Sequence, residues 1–280
     1  MNQPALIIHG GAGRDFRNAR RLSLIRKKLN KILNISYQKL LTSSALDTVT
    51  FAVKLLEDDP EFNAGTGSML QRDGKARLSA SIMDGACLRF SAVINLENIE
   101  NPILVAKALL GKTDRVLAGS GARQFAQSLG FKLADTRTPK SIRRWQKARQ
   151  RDSDTVGACA LDRWGRLACA TSTGGRGLEY PGRVSDSGMP IANYATGQCA
   201  VSATGVGEEI MSEGITVRIA TRVEDGMPLK KAFQKTFAAI QSRGYRMGAI
   251  GVDAKGNFAC ETTTEVLLYG WRKGKKQGLF

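Results

Sequence analysis

The chain opens on a continuous apolar run, ALIIHGG, which suits a short buried strand ending on flexible glycines. It then passes into RLSLIRKKLNKILNISYQKLL, where Leu22, Ile25, Leu29, Ile32 and Leu33 recur on a helical period. A strand therefore feeds a basic amphipathic helix. Ser44 and Asp47 form a capping-box pattern ahead of ALDTVTFAVKLLEDD, whose apolar spacing is again helical and which Pro60 follows. After the glycine-rich loop FNAGTGS, the stretch MLQRDGKARLSASIMDG sets an Asp-Gly pair between two strand-like runs, which predicts a hairpin. NPILVAKALL and GSGARQFAQSLG predict two further helices, the second closed by Gly130.

From 131 to 154 the periodicity fades into polar and basic residues around Pro139, so this stretch reads as a linker. Order then returns with an internal echo. GACALDRWGRLACATST (157–173) and GAIGVDAKGNFACETTT (248–264) align without a gap, each two strand-like runs joined through Asp-x-x-Gly. Two such hairpins predict neighbouring strands of one antiparallel sheet. EEIMSEGITVRIATRV and PLKKAFQKTFAAIQSRG between them read as two helices, the latter with Pro228 in its first turn and Gly244 at its end. The pattern is that of an α+β layered fold.

At 280 residues, 42% of them hydrophobic, the chain can build a sizeable core as one large domain or two small ones. The first residues carry no positive segment and too short an apolar run for a signal peptide or a membrane span, so the expected address is cytoplasmic, with no membrane partner. The five cysteines, Cys87, Cys159, Cys169, Cys199 and Cys260, are scattered without any CxxC, and read as reduced, mostly buried thiols. The net charge of +17 is concentrated in Arg17–Lys31, in Arg143–Arg151 and in Arg272–Lys276. These clusters read as a solvated helix face and two basic segments that bind nucleic acid only non-specifically, because no aromatic-interleaved motif accompanies them.

The stretch DSDTVGACALD places Thr155 directly after Asp154 and directly before a strand-like run. A hydroxyl needs a base, and His9 is the only histidine. If the bond between Asp154 and Thr155 were cut, Thr155 would carry an α-amine whose ordinary pKa of about 8 suits a general base near neutral pH. Nucleophile and base would then share one residue.

HGGAG near the start, FNAG at 62–65, DTVGACALD at 154–162, ATSTGG at 170–175, PGRVSDS at 181–187 and TGVGE at 204–208 occur together and in this order. In order and spacing they resemble the plant-type asparaginase and isoaspartyl peptidase family of N-terminal-nucleophile hydrolases, over nearly the whole chain. The resemblance implies an αββα sandwich, a single domain built from two self-cleaved subunits, 1–154 and 155–280, and a dimer of such heterodimers. It makes Thr155 the nucleophile freed by self-cleavage and Thr173 the hydroxyl that orients it. Thr204 and Gly205 become the oxyanion hole, with Gly207 leaving room for substrate. Arg183 and Asp186 would grip the α-carboxylate and α-ammonium of an aspartyl substrate. Asn63, His9 and Gly10, with Asp154, would assist self-cleavage. LLEDDPEFNAGT resembles the family's sodium loop, in which backbone carbonyls of Leu56, Glu57, Asp59, Phe62, Ala64 and Thr66 would wrap one structural cation; no cofactor is implied for catalysis.

The match breaks near the C-terminus, where YRMGAIG and TTTEVLLYGW stand in place of the family's paired-glycine and Gly-Met segments, and at Ser185, where glycine is usual. The first two changes predict a narrower space beside the nucleophile, with Val266 and Leu267 forming a bulkier wall. The function implied is a self-processing hydrolase of L-asparagine or N-terminal β-aspartyl dipeptides, with turnover below that of a typical relative. Two alternatives stand beside it: a member of the fold that has lost ordinary catalysis and binds a polyanion or protein, and a threonine endopeptidase, against which Asp186 argues by suiting a free α-ammonium.

Overall fold

A computed structural model describes residues 2–13, 19–147 and 155–280. The opening apolar run forms β1 (Ala5–Gly13), buried along its whole length. In α1 (Ala19–Leu40) Ile25, Leu29, Ile32, Leu33, Tyr37 and Leu40 turn inward, while Arg20, Lys27 and Lys31 face solvent. α2 (Ala45–Asp58) starts where the capping pattern places it: the Ser44 hydroxyl accepts from the Asp47 amide at 3.0 Å. Then come β2 (Leu78–Asp84), β3 (Arg89–Leu96), α3 (Pro102–Leu109), β4 (Val116–Ala118), α4 (Gly119–Ser128) and α5 (Pro139–Gln146). The second half holds β5 (Val156–Leu161), β6 (Leu167–Thr173), a 3-10 turn (Asp186–Gly188), β7 (Asn193–Ala195) and β8 (Cys199–Gly205). It ends with α6 (Gly207–Glu213), α7 (Ile215–Glu224), α8 (Leu229–Gln241), β9 (Met247–Asp253), β10 (Phe258–Thr262), β11 (Val266–Lys273) and β12 (Lys276–Leu279).

The strands form an eight-stranded sheet in the order β12-β11-β1-β5-β6-β2-β3-β4 and a four-stranded sheet in the order β10-β9-β8-β7. Three apolar clusters define the layers. One packs α1 to α4 on the larger sheet, a second packs α6 to α8 on the smaller, and a third, with Ile7, Met83, Cys159, Cys169, Ile250 and Val252, lies between the sheets. This is a sandwich of two sheets with helices outside both. The larger sheet joins strands from both expected subunits, since β1 pairs with β5 on one side and β11 on the other.

Four local expectations need correction. Asp73-Gly74 does close a tight turn, with Gln71 N–H donating to Lys75 O at 2.9 Å, but no hairpin surrounds it. Leu70 and Arg72 bond instead to Leu178 and Glu179, and β2 pairs with β3. The stretch read as a linker contains α5, begun by a reciprocal Thr138–Ser141 cap with Pro139 in its first turn. Its ring contact, Trp145 on Gly74, is too sparse to leave a periodic signal. The helix predicted over 208–223 breaks into α6 and α7 at Gly214, whose φ of 55° no helical residue adopts. The two similar hairpins, β5–β6 and β9–β10, lie in different sheets that face each other rather than side by side. Of the cysteines, Cys159, Cys169 and Cys199 are buried and all five are free.

Candidate active site

Thr155 precedes β5 and is buried at 3% exposure. Because β6 pairs back on β5 with Ser172 opposite Val156, Thr173 comes beside it, and the two hydroxyl oxygens lie 3.3 Å apart. Gly175 N–H donates to Thr173 Oγ1 at 3.2 Å. The loop after Thr173 is pinned by Asn63, whose amide donates to Gly175 O while its oxygen accepts from Met69 N–H at 2.9 Å. Gly174 N–H donates to Asn63 O at 2.8 Å, and a Cβ on Gly174 would lie 2.3 Å from Ser68. FNAG and ATSTGG are thus one structural unit. Gly10 belongs to it too, since a Cβ there would lie 2.6 Å from the Phe62 ring.

Beneath Thr155 runs a buried polar chain. His9 Nε2 lies 2.8 Å from Ser202 Oγ, and Ser202 Oγ lies 2.9 Å from Thr171 Oγ1, linking β1, β8 and β6 across the sheets. Gly157 makes the crossing possible, because a Cβ there would come within 2.2 Å of Ser202 Oγ and 2.3 Å of His9 Nε2. Burial pushes the His9 pKa down to about 3, with the Thr155 backbone opposing. His9 is therefore a neutral ring near neutral pH, placed to position rather than to exchange protons. Ser202 and Thr171 leave a faint signal in the sequence: two hydroxyls on inward positions of otherwise apolar strands.

Thr204, near the end of β8, is buried, and among the described residues its hydroxyl has no hydrogen-bond partner. Gly205 follows at φ 150°, where a Cβ would strike Arg246 O at 2.6 Å. Gly207 then opens α6 between Arg183 and Asp186: a Cβ on it would come within 2.6 Å of both Arg183 Nη2 and Asp186 Oδ1. Asp186 is fully buried and its Oδ2 has no hydrogen-bond partner among the described residues. Burial raises its pKa to about 6, against the Ser185 hydrogen bond and the charge of Arg183. Ser185, the residue that departs from the family pattern, donates its hydroxyl to Asp186 Oδ1 at 3.0 Å.

Arg183 also has carboxylate partners, from residues distant in the sequence as well as near. Its Nε and Nη2 hold both oxygens of Glu208 at 2.9 and 3.0 Å, and Nη1 reaches Glu179 Oε1 at 3.4 Å. Among the described residues three of its five N–H donors are so engaged, and two have no partner. The altered C-terminal segments border this site: Gly248 pairs with Thr204, and Leu267 Cδ1 stands 3.0 Å from where its Cβ would be.

In the loop from Leu56 to Thr66, Thr66 N–H donates to Glu57 O at 2.9 Å and Phe62 N–H to Asp59 O at 3.1 Å. Gly65, at φ 55°, curls so that Glu57 O and Glu100 O converge within 2.6 Å of its missing Cβ. Uncharged carbonyl oxygens converging on a glycine are donors that a hard, weakly held cation accepts. Asp154 lies outside the described residues.

A two-sheet sandwich with helices on both outer faces, and a buried threonine at the head of a central strand, defines the class: an N-terminal-nucleophile type of hydrolase fold. A family model described as asparaginase matches residues 2–279. The chain belongs to the asparaginase family. It is 41% identical to an isoaspartyl peptidase/L-asparaginase of Nostoc sp., over 99% of this chain and 94% of that protein. It is 36% identical to a plant-type L-asparaginase of Pyrobaculum calidifontis, over 96% of each chain, and 36% identical to an isoaspartyl peptidase of Salmonella typhimurium, over 97% and 96%.

Proposed function

We propose that this protein hydrolyses the side-chain amide or isopeptide bond of an aspartyl group, taking L-asparagine and N-terminal β-aspartyl dipeptides as substrates. The observation that carries this reading is that, among the described residues, the Thr204 hydroxyl and Asp186 Oδ2 are buried without a hydrogen-bond partner, on a strand and a turn that pack against the β5–β6 hairpin headed by Thr155 and ended by Thr173. Each lacks the partner that a substrate would supply: an oxyanion for the first and an α-ammonium for the second. In this scheme Thr155 Oγ1 attacks the β-carbonyl, its own α-amine takes the proton, Thr173 holds the hydroxyl, and Thr204 with the Gly205 N–H stabilises the tetrahedral oxygen. Collapse expels ammonia or an amino acid and leaves an ester on Thr155, which water cleaves. Arg183 takes the α-carboxylate with its two remaining N–H donors.

The α-amine of Thr155 requires that the chain be cut after Asp154, giving subunits 1–154 and 155–280, which the shared sheet would hold together; assembly into a dimer of heterodimers follows the family resemblance. The carbonyl loop from Leu56 to Thr66 is read as a structural cation site, sodium being the ion the resemblance implies. No helix among the described residues is long and apolar enough to cross a membrane.

Intact-mass measurement and a substrate panel test the reading together. Two fragments of 1–154 and 155–280 are expected, with hydrolysis of L-asparagine and β-aspartyl-leucine and none of an N-blocked β-aspartyl peptide. Because Asp186 is ionised only above its raised pKa of about 6, the KM should climb as pH falls through 6 while processing is unaffected. Faster cleavage of the N-blocked peptide would replace this function with an endopeptidase, and a chain that stays whole and inert would remove it.

A further inference from the structure

Strand pairing sorts the hairpin turns to two opposite ends of the sandwich. Thr155, Thr173 and Thr204 sit at one end. At the other, Ala5 pairs with Leu161 and with Lys273, and Lys273 Nζ donates to Lys255 O at 2.8 Å, so the β5–β6, β9–β10 and β11–β12 turns are brought together. These turns carry Arg163, Arg166, Lys255, Lys273, Lys275 and Lys276. The carboxylates nearby are consumed: Asp162 is buried and paired with Arg166, and Asp253 accepts from the Lys255 and Asn257 amides within its own turn.

Aromatic rings stand among these cations. Trp164 is 50% exposed at the tip of the β5–β6 turn, with the guanidinium carbons of Arg163 and Arg166 at 4.4 and 4.7 Å from its ring centre. Beside it a groove of about 810 Å³ is lined by Gln3, Phe258, Trp271, Lys273, Lys275 and Lys276, the Phe258 and Trp271 rings lying 5.2 Å apart. Contrary to the expectation that no aromatic-interleaved motif accompanies the basic segments, Trp164 stands between Arg163 and Arg166 and Trp271 ahead of Lys273, Lys275 and Lys276, and the fold brings these two distant stretches to one end.

We propose that this end of the sandwich binds single-stranded nucleic acid, with phosphates on the lysine-rich turns and bases stacked against the Trp164 and Trp271 aromatics. Flexible cations alone would hold any polyanion; the half-exposed Trp164 ring and the partly buried Trp271 ring in the groove add a contact that only unpaired bases can use. The helix face of α1 is equally basic, but the rings its cations meet among the described residues, Phe280 beside Arg26 and Phe51 beside Lys39, are partly buried phenylalanines rather than a half-exposed tryptophan, and it serves as the internal control.

The test uses the full chain and a fluorescein-labelled oligothymidylate of roughly twenty nucleotides, titrated across a series of salt concentrations. The Lys273→Glu/Lys275→Glu/Lys276→Glu variant should weaken binding by about tenfold or more and flatten the salt slope by about two, since each lost single-strand phosphate contact removes about 0.7. Trp164→Ala should weaken binding by about fivefold or more at unchanged slope. Arg20→Glu/Lys27→Glu/Lys31→Glu should shift it by less than about twofold. Thermal midpoints matching the unmodified chain establish that the variants fold. The proposal is overturned if the α1 variant abolishes binding while the turn variant does not, if Trp164→Ala is neutral and a duplex of the same length binds as well, or if anionic lipid vesicles compete the oligonucleotide away.

Discussion

The hairpins β5–β6 and β9–β10 share a sequence pattern and, in the fold, a turn reproduced atom for atom. Asp162 N–H and Asp253 N–H each donate 3.0 Å across their turns, to Arg166 O and Asn257 O. Asp162 Oδ1 accepts from the Trp164 and Arg166 amides at 2.9 and 3.0 Å, and Asp253 Oδ1 from the Lys255 and Asn257 amides at 2.9 and 2.8 Å. Gly165 and Gly256 take φ of 82° and 73° at matching positions. Away from the turn the likeness ends. The position of Thr155 is Arg246 in the second hairpin, and that of Thr173 is Thr264, which bonds to Thr262 and to Val266 O. One unit was used twice: on the larger sheet it carries Thr155, the proposed nucleophile, on the smaller it backs the strand that carries Thr204. The turn chemistry is local and survives in both copies; the reactive chemistry depends on what each sheet packs beside.

The largest expected separation between the copies is in turnover. Thr155→Ala should remove both self-cleavage and hydrolysis, a loss of at least about four orders of magnitude in kcat. Thr264→Ala, at the position matching Thr173, should stay within about fivefold, the worth of one modest hydrogen bond. Steady-state hydrolysis of β-aspartyl-leucine on mature protein measures the second, intact mass the first. Comparable losses from the two substitutions would erase the functional difference between the hairpins.

The same contrast explains what was legible in the sequence. Elements with a strong period or a cap, such as α1 and α2, and glycines that close turns, are determined by neighbours within a few residues, and they read correctly. The helix α5 did not, because it is held by contacts such as the Trp145 ring, the buried Ser141 and the Lys140–Glu61 ion pair rather than by an apolar stripe. The placement of the two hairpins on opposite sheets did not either, since both copies carry the same local code and only long-range pairing with β1 or β8 tells them apart. At the site, the motif residues could be named one by one, but Glu208 on Arg183, the His9–Ser202–Thr171 chain and the ring-and-cation end of the sandwich arise from residues far apart in the chain.

A second, smaller separation is in stability. Asp162 is fully buried and also accepts from the Ala45 amide at 3.0 Å, at the start of α2, and from Arg166 Nε at 2.9 Å. Asp253 is half-buried, and among the described residues its other oxygen accepts from Asn257 Nδ2 at 2.8 Å. Asp162→Ala strands a buried amide and should cost about 3 kcal/mol, whereas Asp253→Ala loses turn bonds that water can replace and should cost about 1 kcal/mol. Urea unfolding of the two variants decides it. Equal costs would mean that the turn alone, rather than its docking on α2, sets the value.

The smallest effect belongs to the first glycine of each copy, Gly157 and Gly248. In Gly157→Ala the new methyl would meet Ser202 Oγ at 2.2 Å, His9 Nε2 at 2.3 Å and Ala170 O at 3.0 Å. None of these can retreat: the first two are bonded to each other inside the core, and the third is backbone of the neighbouring strand. Breaking His9 from Ser202 leaves two buried polar groups without partners, so about 2 kcal/mol is expected, with slower self-cleavage because Thr155 loses its support. In Gly248→Ala the nearest atoms are Leu267 Cδ1 at 3.0 Å, Thr262 Oγ1 at 3.3 Å and Ala12 Cβ at 3.4 Å. A leucine methyl end can rotate aside, so stability should change by less than about 1 kcal/mol. Movement of the displaced methyl into the substrate side would show as a raised KM at unchanged processing. A Gly248→Ala variant as unstable as Gly157→Ala would show that Leu267 is as firmly wedged as the buried polar chain, and that the two copies are equally constrained at this position.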